Sequence, residues 1–445
     1  MQSEFSAKLA ELLAARRPFA VATVIRVRGS ASAKPGAKAL IDEAGRNVFG
    51  WVGGGCAESL VREEALRALQ DRATRIVTAD LDDEVLGVGM PCGGAMDVYI
   101  EPVLPKPSLV IAGSNKLARA LALLGGNLGY AVRVHAPEAD PAHFPTAERV
   151  VAEPYGTIRV GAQDALAVAT QHQGDLDAVR AGLVGHVNYL ALVSRRDVAE
   201  NVFKRLRQER FAEEAFAQVR VPAGLDLGGK SPETVSLSIA AELLAVQRGK
   251  SARMLRDVKG ILPAPPQPPA LETVQPELLV VGHGRIAEEV ARLATLIGWP
   301  VTVNSPGASG DDYPSAACLV TSDRDYSAME VNPSTFVVIC TQHKGDHLSL
   351  RKALEGQPAY IGLVASQKRS GLVLDYLRGQ GAELESLACI HAPAGLDLGA
   401  VTPAEIALSV VAEMVMRQHG RSAKPLQSVK TLPRQEARGC DGRFD

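Results

Sequence analysis

The sequence predicts an α/β chain: an N-terminal α+β domain followed by two tandem copies of a doubly wound parallel-sheet domain. Three observations carry this prediction. First, two stretches recur at one offset. Thr170-Gln171-His172-Gln173-Gly174-Asp175 matches Thr341-Gln342-His343-Lys344-Gly345-Asp346, and Ala223-Gly224-Leu225-Asp226-Leu227-Gly228 matches Ala394-Gly395-Leu396-Asp397-Leu398-Gly399, each pair 171 residues apart. A constant offset over so many positions means two copies of one unit. Second, each copy opens with an apolar strand, a turn and an apolar helix, and strands alternating with helices imply a parallel sheet covered on both faces. Third, Pro263-Ala264-Pro265-Pro266-Gln267-Pro268-Pro269 separates the copies as a stiff spacer that keeps them adjacent, so they are expected to pack together. The domains expected are residues 1–104, 105–262 and 270–425, with a polar tail, 426–445, expected to be mobile.

Composition bounds the function. Of 445 residues, 46% are hydrophobic and 22% charged, with a formal net charge of −2, an ordinary soluble globular balance. That balance gives no electrostatic case for nucleic acid or an anionic membrane. No run approaches eighteen uninterrupted apolar residues, so no membrane span is expected. Cys56, Cys92, Cys318, Cys340, Cys389 and Cys440 are scattered without a CxxC pair, and a reducing cytoplasm is the compartment expected.

The first domain begins with an amphipathic helix carrying Phe5, Leu9, Leu12 and Leu13. Phe19 to Val27 reads as a strand rich in β-branched residues. Arg28, Lys34 and Lys38 punctuate the small-residue loop that follows, which suits either an anion or plain solvation. Ala39–Ile41 and Asn47–Trp51 read as a hairpin. Then come Gly53-Gly54-Gly55-Cys56, and immediately a helical pattern with Leu60, Val61, Ala65, Leu66 and Leu69 on one face. Three glycines add no packing and cost backbone entropy, so they suit a positive-φ loop or a backbone lying against something. Cys56 at a helix mouth is set where thiolate is favoured, able to attack, carry sulfur or bind a soft metal. A small buried cysteine at a tight turn accounts for the same pattern. Cys92 lies in a second glycine-rich loop, Gly87 to Gly94, before a strand from Met96 to Val103.

In order and spacing, Thr23-Val24-Ile25-Arg26-Val27-Arg28-Gly29-Ser30, Pro35-Gly36-Ala37, Gly53-Gly54-Gly55-Cys56-Ala57-Glu58, Cys92-Gly93-Gly94 and Val98-Tyr99-Ile100-Glu101-Pro102 resemble the N-terminal module of the xanthine dehydrogenase accessory factor family, the XdhC/CoxI type. The resemblance implies a cytoplasmic factor that helps insert sulfurated molybdenum cofactor into molybdenum hydroxylases.

In the second copy, Leu278 to Val281 lead into Gly282-His283-Gly284-Arg285-Ile286-Ala287 and a helix to Ile297, a dinucleotide-type fingerprint that makes each copy Rossmann-like. In the first copy, Leu109 to Ala112 lead into Gly113-Ser114-Asn115, so Asn115 stands where the second glycine is expected. The carboxylate that grips a ribose is missing after both second strands, where Val134-His135-Ala136-Pro137 and Val303-Asn304-Ser305-Pro306 stand. NAD(P) is therefore not expected. The duplicated stretches also resemble the C-terminal Rossmann domain of the same family, the second copy more closely. Family members usually carry one such domain, so the tandem is a departure.

The function implied is a chaperone that binds molybdenum cofactor, with or without a nucleotide, assists its sulfuration and delivers it to an apo molybdenum hydroxylase of xanthine, aldehyde or carbon monoxide dehydrogenase type. A cysteine desulfurase is a further partner that the resemblance allows. Cys56 would hold the metal or transfer sulfur, with Cys92 in support and Gly53, Gly54 and Gly55 as its backbone cradle. Gly282, Gly284 and Arg285 would meet the phosphate, and His343 lies at the same sheet edge. The rival readings are an NAD(P)-dependent oxidoreductase using the second copy and a scaffold joining a desulfurase to the client. Asp226 and Asp397 are expected to form turns or cap helices, and Cys318, Cys340 and Cys389 to lie in the core.

Overall fold

A computed structural model of the chain describes residues 2–29, 33–54, 56–80, 94–259, 276–314, 316–323, 325–341, 345–382, 387 and 389–429. They form two compact units, Met1–Lys106 and Pro107–Asp445. No described helix is long and apolar enough to cross a membrane.

In the first unit, α1 (Gln2–Ala14) precedes β1 (Phe19–Gly29), β2 (Lys38–Asp42) and β3 (Asn47–Gly50); then come α2 (Cys56–Asp71), β4 (Arg75–Asp80) and β5 (Gly94–Val103). The strands make an antiparallel sheet in the order β3-β2-β1-β5-β4. Among the described residues α2 covers it, and Phe5 of α1 meets Phe49 of β3. Ala57, Val61, Ala65 and Ala68 of α2 pack against Ala20, Ala22, Val24, Met96, Val98 and Ile100, the small alanines letting the helix sit close to the sheet. The hairpin, both flanking strands and both helices stand where the apolar periodicity puts them.

The second unit holds two parallel six-stranded sheets. The first has β6 (Ser108–Ala112), β7 (Ala131–His135), β8 (Arg149–Val151), β9 (Asp164–Val168), β10 (Tyr189–Leu192) and β11 (Val219–Arg220) in the order β11-β10-β9-β6-β7-β8. Its main helices are α3 (Lys116–Asn127), α4 (Asp175–Val184), α5 (Arg196–Gln208) and α7 (Pro232–Gln247), with the short α6 (Glu213–Phe216) and α8 (Leu255–Lys259). The second sheet repeats this order with β12 (Glu277–Gly282), β13 (Val301–Asn304), β14 (Cys318–Val320), β15 (Thr335–Cys340), β16 (Tyr360–Leu363) and β17 (Ile390–His391). Its helices are α9 (Arg285–Leu296), α10 (Asp346–Glu355), α11 (Gln367–Gly379), α12 (Pro403–Gln418) and the short α13 (Leu426–Val429). In each sheet the first strand sits between the second and the fourth, the doubly wound order whose crevice opens at the carboxyl edge.

The copies share one core. In α7 every residue from Ser236 to Ala245 is buried, and α12 is buried from Ala407 to Met416. A helix buried on all sides must have partners on all sides. Leu237, Leu243 and Leu244 of α7 accordingly join Leu408, Val411 and Val415 of α12 in a core that runs through both copies. At about 1.5–3 kcal/mol for each fully buried large aliphatic side chain, this seam contributes strongly to both copies.

Beyond the seam, each copy extends an arm onto the other. Ala252 N–H donates to Asp397 O at 3.1 Å, Asp397 N–H to Arg253 O at 2.6 Å and Leu255 N–H to Gly395 O at 2.8 Å. The mirror set is Ala423 N–H to Asp226 O at 3.0 Å, Asp226 N–H to Lys424 O at 2.8 Å and Leu426 N–H to Gly224 O at 2.9 Å. The duplicated Gly-Leu-Asp-Leu-Gly loops are thus docking edges for the exchanged arms. Of the two roles expected for Asp226 and Asp397, turn formation or helix capping, the capping role is corrected: the caps are Ser231 for α7 and Thr402 for α12. The tail expected to be mobile begins instead as the docked α13, and the remainder of it lies outside the described residues. Cys340 is buried as expected, but Cys318 and Cys389 are exposed because they lie at the start of, or just before, the edge strands β14 and β17.

A buried glutamate anchors each arm-docking loop. Glu242 accepts from Tyr189 Oη at 2.8 Å and Gly224 N–H at 2.9 Å; Glu413 accepts from Tyr360 Oη at 2.6 Å and Gly395 N–H at 2.7 Å. Where the first copy adds Arg220 at 3.3 Å, the second adds the Nδ1 of the fully buried His391 at 2.9 Å. Burial holds His391 below its ordinary value of 6.5, against the opposing pull of Glu413. An unfolded chain therefore takes up a proton below about pH 6.5 that the folded chain refuses, so stability falls as pH drops through that value and is insensitive above it. The slope from this group reaches at most about 1.4 kcal/mol per pH unit. Denaturant titrations of the wild type and His391→Gln between about pH 7.5 and 5 check it; equal slopes would remove His391 as the cause.

Candidate functional site

The glycine-cysteine loop is shaped by its backbone. Gly53 has φ +134°, and a Cβ there would fall 2.8 Å from Met96 Cε and 3.3 Å from Ala57 Cβ. The backbone conformation therefore demands glycine at this position, and a side chain would also have to displace the tip of Met96. Gly54 is exposed, with nothing within 4 Å of a Cβ built on it. Cys56 is the first residue of α2, where the backbone N–H groups have no partner within the helix and the helix dipole favours negative charge. Trp51, at 44% exposed, flanks the loop. The side chain of Cys56, all of Gly55 and the Cys92 loop lie outside the described residues.

In the second copy, Gly282 closes β12 with φ +112°, and a Cβ there would fall 2.4 Å from the carbonyl oxygen of Cys340 on β15. Gly284 stands at the N-cap of α9 with φ +96° and ψ 173°, and no side chain caps the helix. Arg285 follows with its side chain 83% exposed, paired only with Glu288 at 3.1 Å among the described residues. The mouth of α9 thus offers backbone N–H groups and a cationic arm to an anion. Beside it on the paired strand, Asn304 is buried; its Nδ2 donates to Asp323 at 2.6 Å while its Oδ1 has no partner among the described residues.

The first copy closes the equivalent mouth. Asn115 Oδ1 accepts from Ala118 N–H at 3.0 Å, and its Nδ2 donates to Ala169 O at 2.6 Å. One side chain thus occupies the space and the donor that a phosphate would use. The position expected to grip a ribose carries His135, buried and engaged through Nε2 with Pro154 O at 3.0 Å.

The duplicated Thr-Gln-His-x-Gly-Asp stretch has diverged in its contacts. Buried Asp175 holds Thr170 Oγ1 and His172 Nδ1, the latter at 3.1 Å. Buried Asp346 holds Thr341 Oγ1 and the Arg369 guanidinium at 3.0 Å. Arg369 does not stand out in the sequence; its one signal is that Val198 stands at the matching position of the first copy. His343 lies outside the described residues. Next to this edge, burial, with the Asp346 carboxylate adding to it, pushes the Cys340 thiol up to about 12, so it is a neutral core thiol. Among the described residues, no group of three or more His, Cys, Asp or Glu is placed to hold a metal ion.

Residues 109–243 and 278–414 each match the family model of the XdhC Rossmann domain, and residues 12–80 match that of the XdhC and CoxI family. The chain is similar to the uncharacterized protein YqeB of Escherichia coli (strain K12), 29% identical over 283 residues, covering 62% of this chain and 50% of the relative. It therefore spans half the length of that relative. It is also similar to a probable xanthine dehydrogenase subunit of Bacillus subtilis (strain 168), 22% identical over 333 residues, covering 55% of this chain and 98% of that one. Among solved structures, a xanthine dehydrogenase from Bacillus halodurans aligns at 22% identity over 54% of this chain and 95% of its own, with a TM-score of 0.30.

Proposed function

The chain belongs to the XdhC and CoxI family, and from that premise we propose that it is a maturation factor which binds molybdenum cofactor and hands it to an apo molybdenum hydroxylase of the xanthine dehydrogenase type. The observation that carries the reading is the open mouth of α9, uncapped behind Gly282 and Gly284 and closed in the sister copy by Asn115. The residues present fit a phosphate-bearing pterin. Backbone N–H groups at the start of α9 and the exposed Arg285 hold an anionic group, and Asn304 Oδ1 accepts from a ring N–H or a ribose hydroxyl. Cys56, at the start of α2 behind a bare glycine backbone, offers a soft thiolate ligand or a sulfur carrier within its own unit. Bound, the cofactor supplies the molybdenum centre that the client needs. A cysteine desulfurase is the sulfur source that fits this role, and the cytoplasm is the compartment where such a thiol persists.

Anaerobic purification from a cofactor-producing host, followed by molybdenum and pterin analysis, tests the proposal. Near-stoichiometric pterin in the wild type is expected, with about tenfold or greater loss in Gly284→Val, whose side chain enters the phosphate site. Circular dichroism and thermal unfolding establish that the variant is folded. Equal pterin content in the wild type and a folded Gly284→Val would place the cofactor elsewhere.

A further inference from the structure

The first copy is more than a partner for the second. A cleft of about 790 Å³ opens in it, lined by Asn115, Lys116, Leu117, Arg119, His172 and Val193, with Ala169, Gln171 and Pro232 completing the wall. Its position is the carboxyl edge between β6 and β9, the point where the strand order reverses. The volume lies in the range of small-molecule sites.

The lining dictates the ligand. Lys116 and Arg119 lie near each other on exposed α3 positions and make no ion pair among the described residues; Arg119 only donates its Nε to Ser114 O at 3.2 Å. His172 is oriented by the buried Asp175 through Nδ1, which leaves Nε2 for a ligand. Leu117, Val193, Ala169 and Pro232 supply an apolar wall. Three cationic or hydrogen-bonding heads beside an apolar wall match a ligand with an anionic end and a flat, poorly solvated body. A dinucleotide does not match. Its pyrophosphate needs the helix N–H that Asn115 engages, and its ribose grip is replaced by the engaged His135. One phosphate held by side chains, on a single nucleoside, satisfies every constraint.

We infer that the first Rossmann copy holds a second binding site, for a nucleoside monophosphate, with Lys116 and Arg119 taking the phosphate, His172 Nε2 accepting from a ribose hydroxyl and the Leu117–Val193 wall taking the base. The site is independent of the cofactor proposed for the second copy. The second copy does not repeat the constellation. With Asn115 matched to Gly284, Arg285 stands in the place of Lys116, but Glu288 replaces Arg119 and pairs with Arg285 at 3.1 Å. The aspartate that orients His172 has its counterpart in Asp346, which is engaged by Arg369.

Calorimetric titration of the full chain with AMP, GMP, CMP and UMP tests the inference, with adenosine and inorganic phosphate as separate arms. At least one nucleotide is expected to bind about tenfold or more tightly than adenosine or phosphate alone, because both ends contribute. Lys116→Ala combined with Arg119→Ala should weaken that binding about tenfold or more, whereas Gly284→Val should leave it unchanged. Thermal unfolding of both variants shows that they are folded. Failure of all four nucleotides to bind overturns the inference. So does nucleotide binding that survives the double substitution, or that is lost in Gly284→Val alone, because the site would then lie outside the first copy.

Discussion

Cys56→Ser is expected to reduce client activation by about 100-fold or more while leaving thermal unfolding unchanged. The magnitude follows from what is removed. Serine keeps the size and the hydrogen-bonding edge of the side chain but loses the soft, polarizable thiolate on which metal ligation or sulfur transfer depends. Changes merely adjacent to a metal ligand already cost about 10–100-fold, so loss of the ligand or nucleophile itself costs more. The fold is spared because α2 packs on its sheet through Ala57, Val61, Ala65 and Ala68, none of which is altered. Activity of an apo-hydroxylase incubated with wild-type or variant protein gives the comparison. Normal activation by a folded Cys56→Ser would remove this cysteine from the mechanism.

Glu413→Ala is expected to be the most destabilising single substitution in the second copy, at about 3–5 kcal/mol. Three buried donors lose their acceptor at once: Tyr360 Oη at 2.6 Å, Gly395 N–H at 2.7 Å and His391 Nδ1 at 2.9 Å. Arg256, wholly buried and donating to Ile390 O at 2.8 Å, stays nearby without the negative charge of Glu413. Against a typical total of about 5–15 kcal/mol, that loss unfolds a large part of the population. Gly395 also receives the arm from the first copy, so the arm should detach and expose the 252–258 segment. A urea titration and limited proteolysis measure both effects. Glu413→Gln, which keeps an acceptor, should lose clearly less; equal losses for Ala and Gln would show that the charge, and not the hydrogen bonds, holds the site.

The repeat, the strand–turn–helix openings and the N-terminal hairpin were legible because each is a local pattern: a fixed offset, an apolar run or a turn. The asymmetry of the two helix mouths was legible for the same reason, since Asn115 against Gly284 is a one-residue difference with a direct steric meaning. What was hidden depends on distant pairing. Nothing near Asp226 says that it meets Lys424, and nothing near Asp397 says that it meets Arg253. Glu242 and Glu413 were hidden in otherwise apolar helices. Their matching repeat positions, shared with Tyr189 and Tyr360, were the clue to a buried network. Cys318 and Cys389 were misplaced because an apolar run looks the same in a central strand and at a sheet edge. The cleft of the first copy is not legible in the sequence because Lys116 and His172 come from different strand–helix turns that only the parallel sheet brings together.

Transfer to an apo client measures cofactor delivery itself. Purified, cofactor-loaded protein is mixed anaerobically with apo molybdenum hydroxylase, the two are separated, and molybdenum and pterin are counted in each alongside client activity. Metal and pterin are expected to leave this chain together and appear in the client with a matching rise in activity, faster than from free cofactor. Cofactor that stays on this chain, or a client activated no faster than by free cofactor, would contradict it.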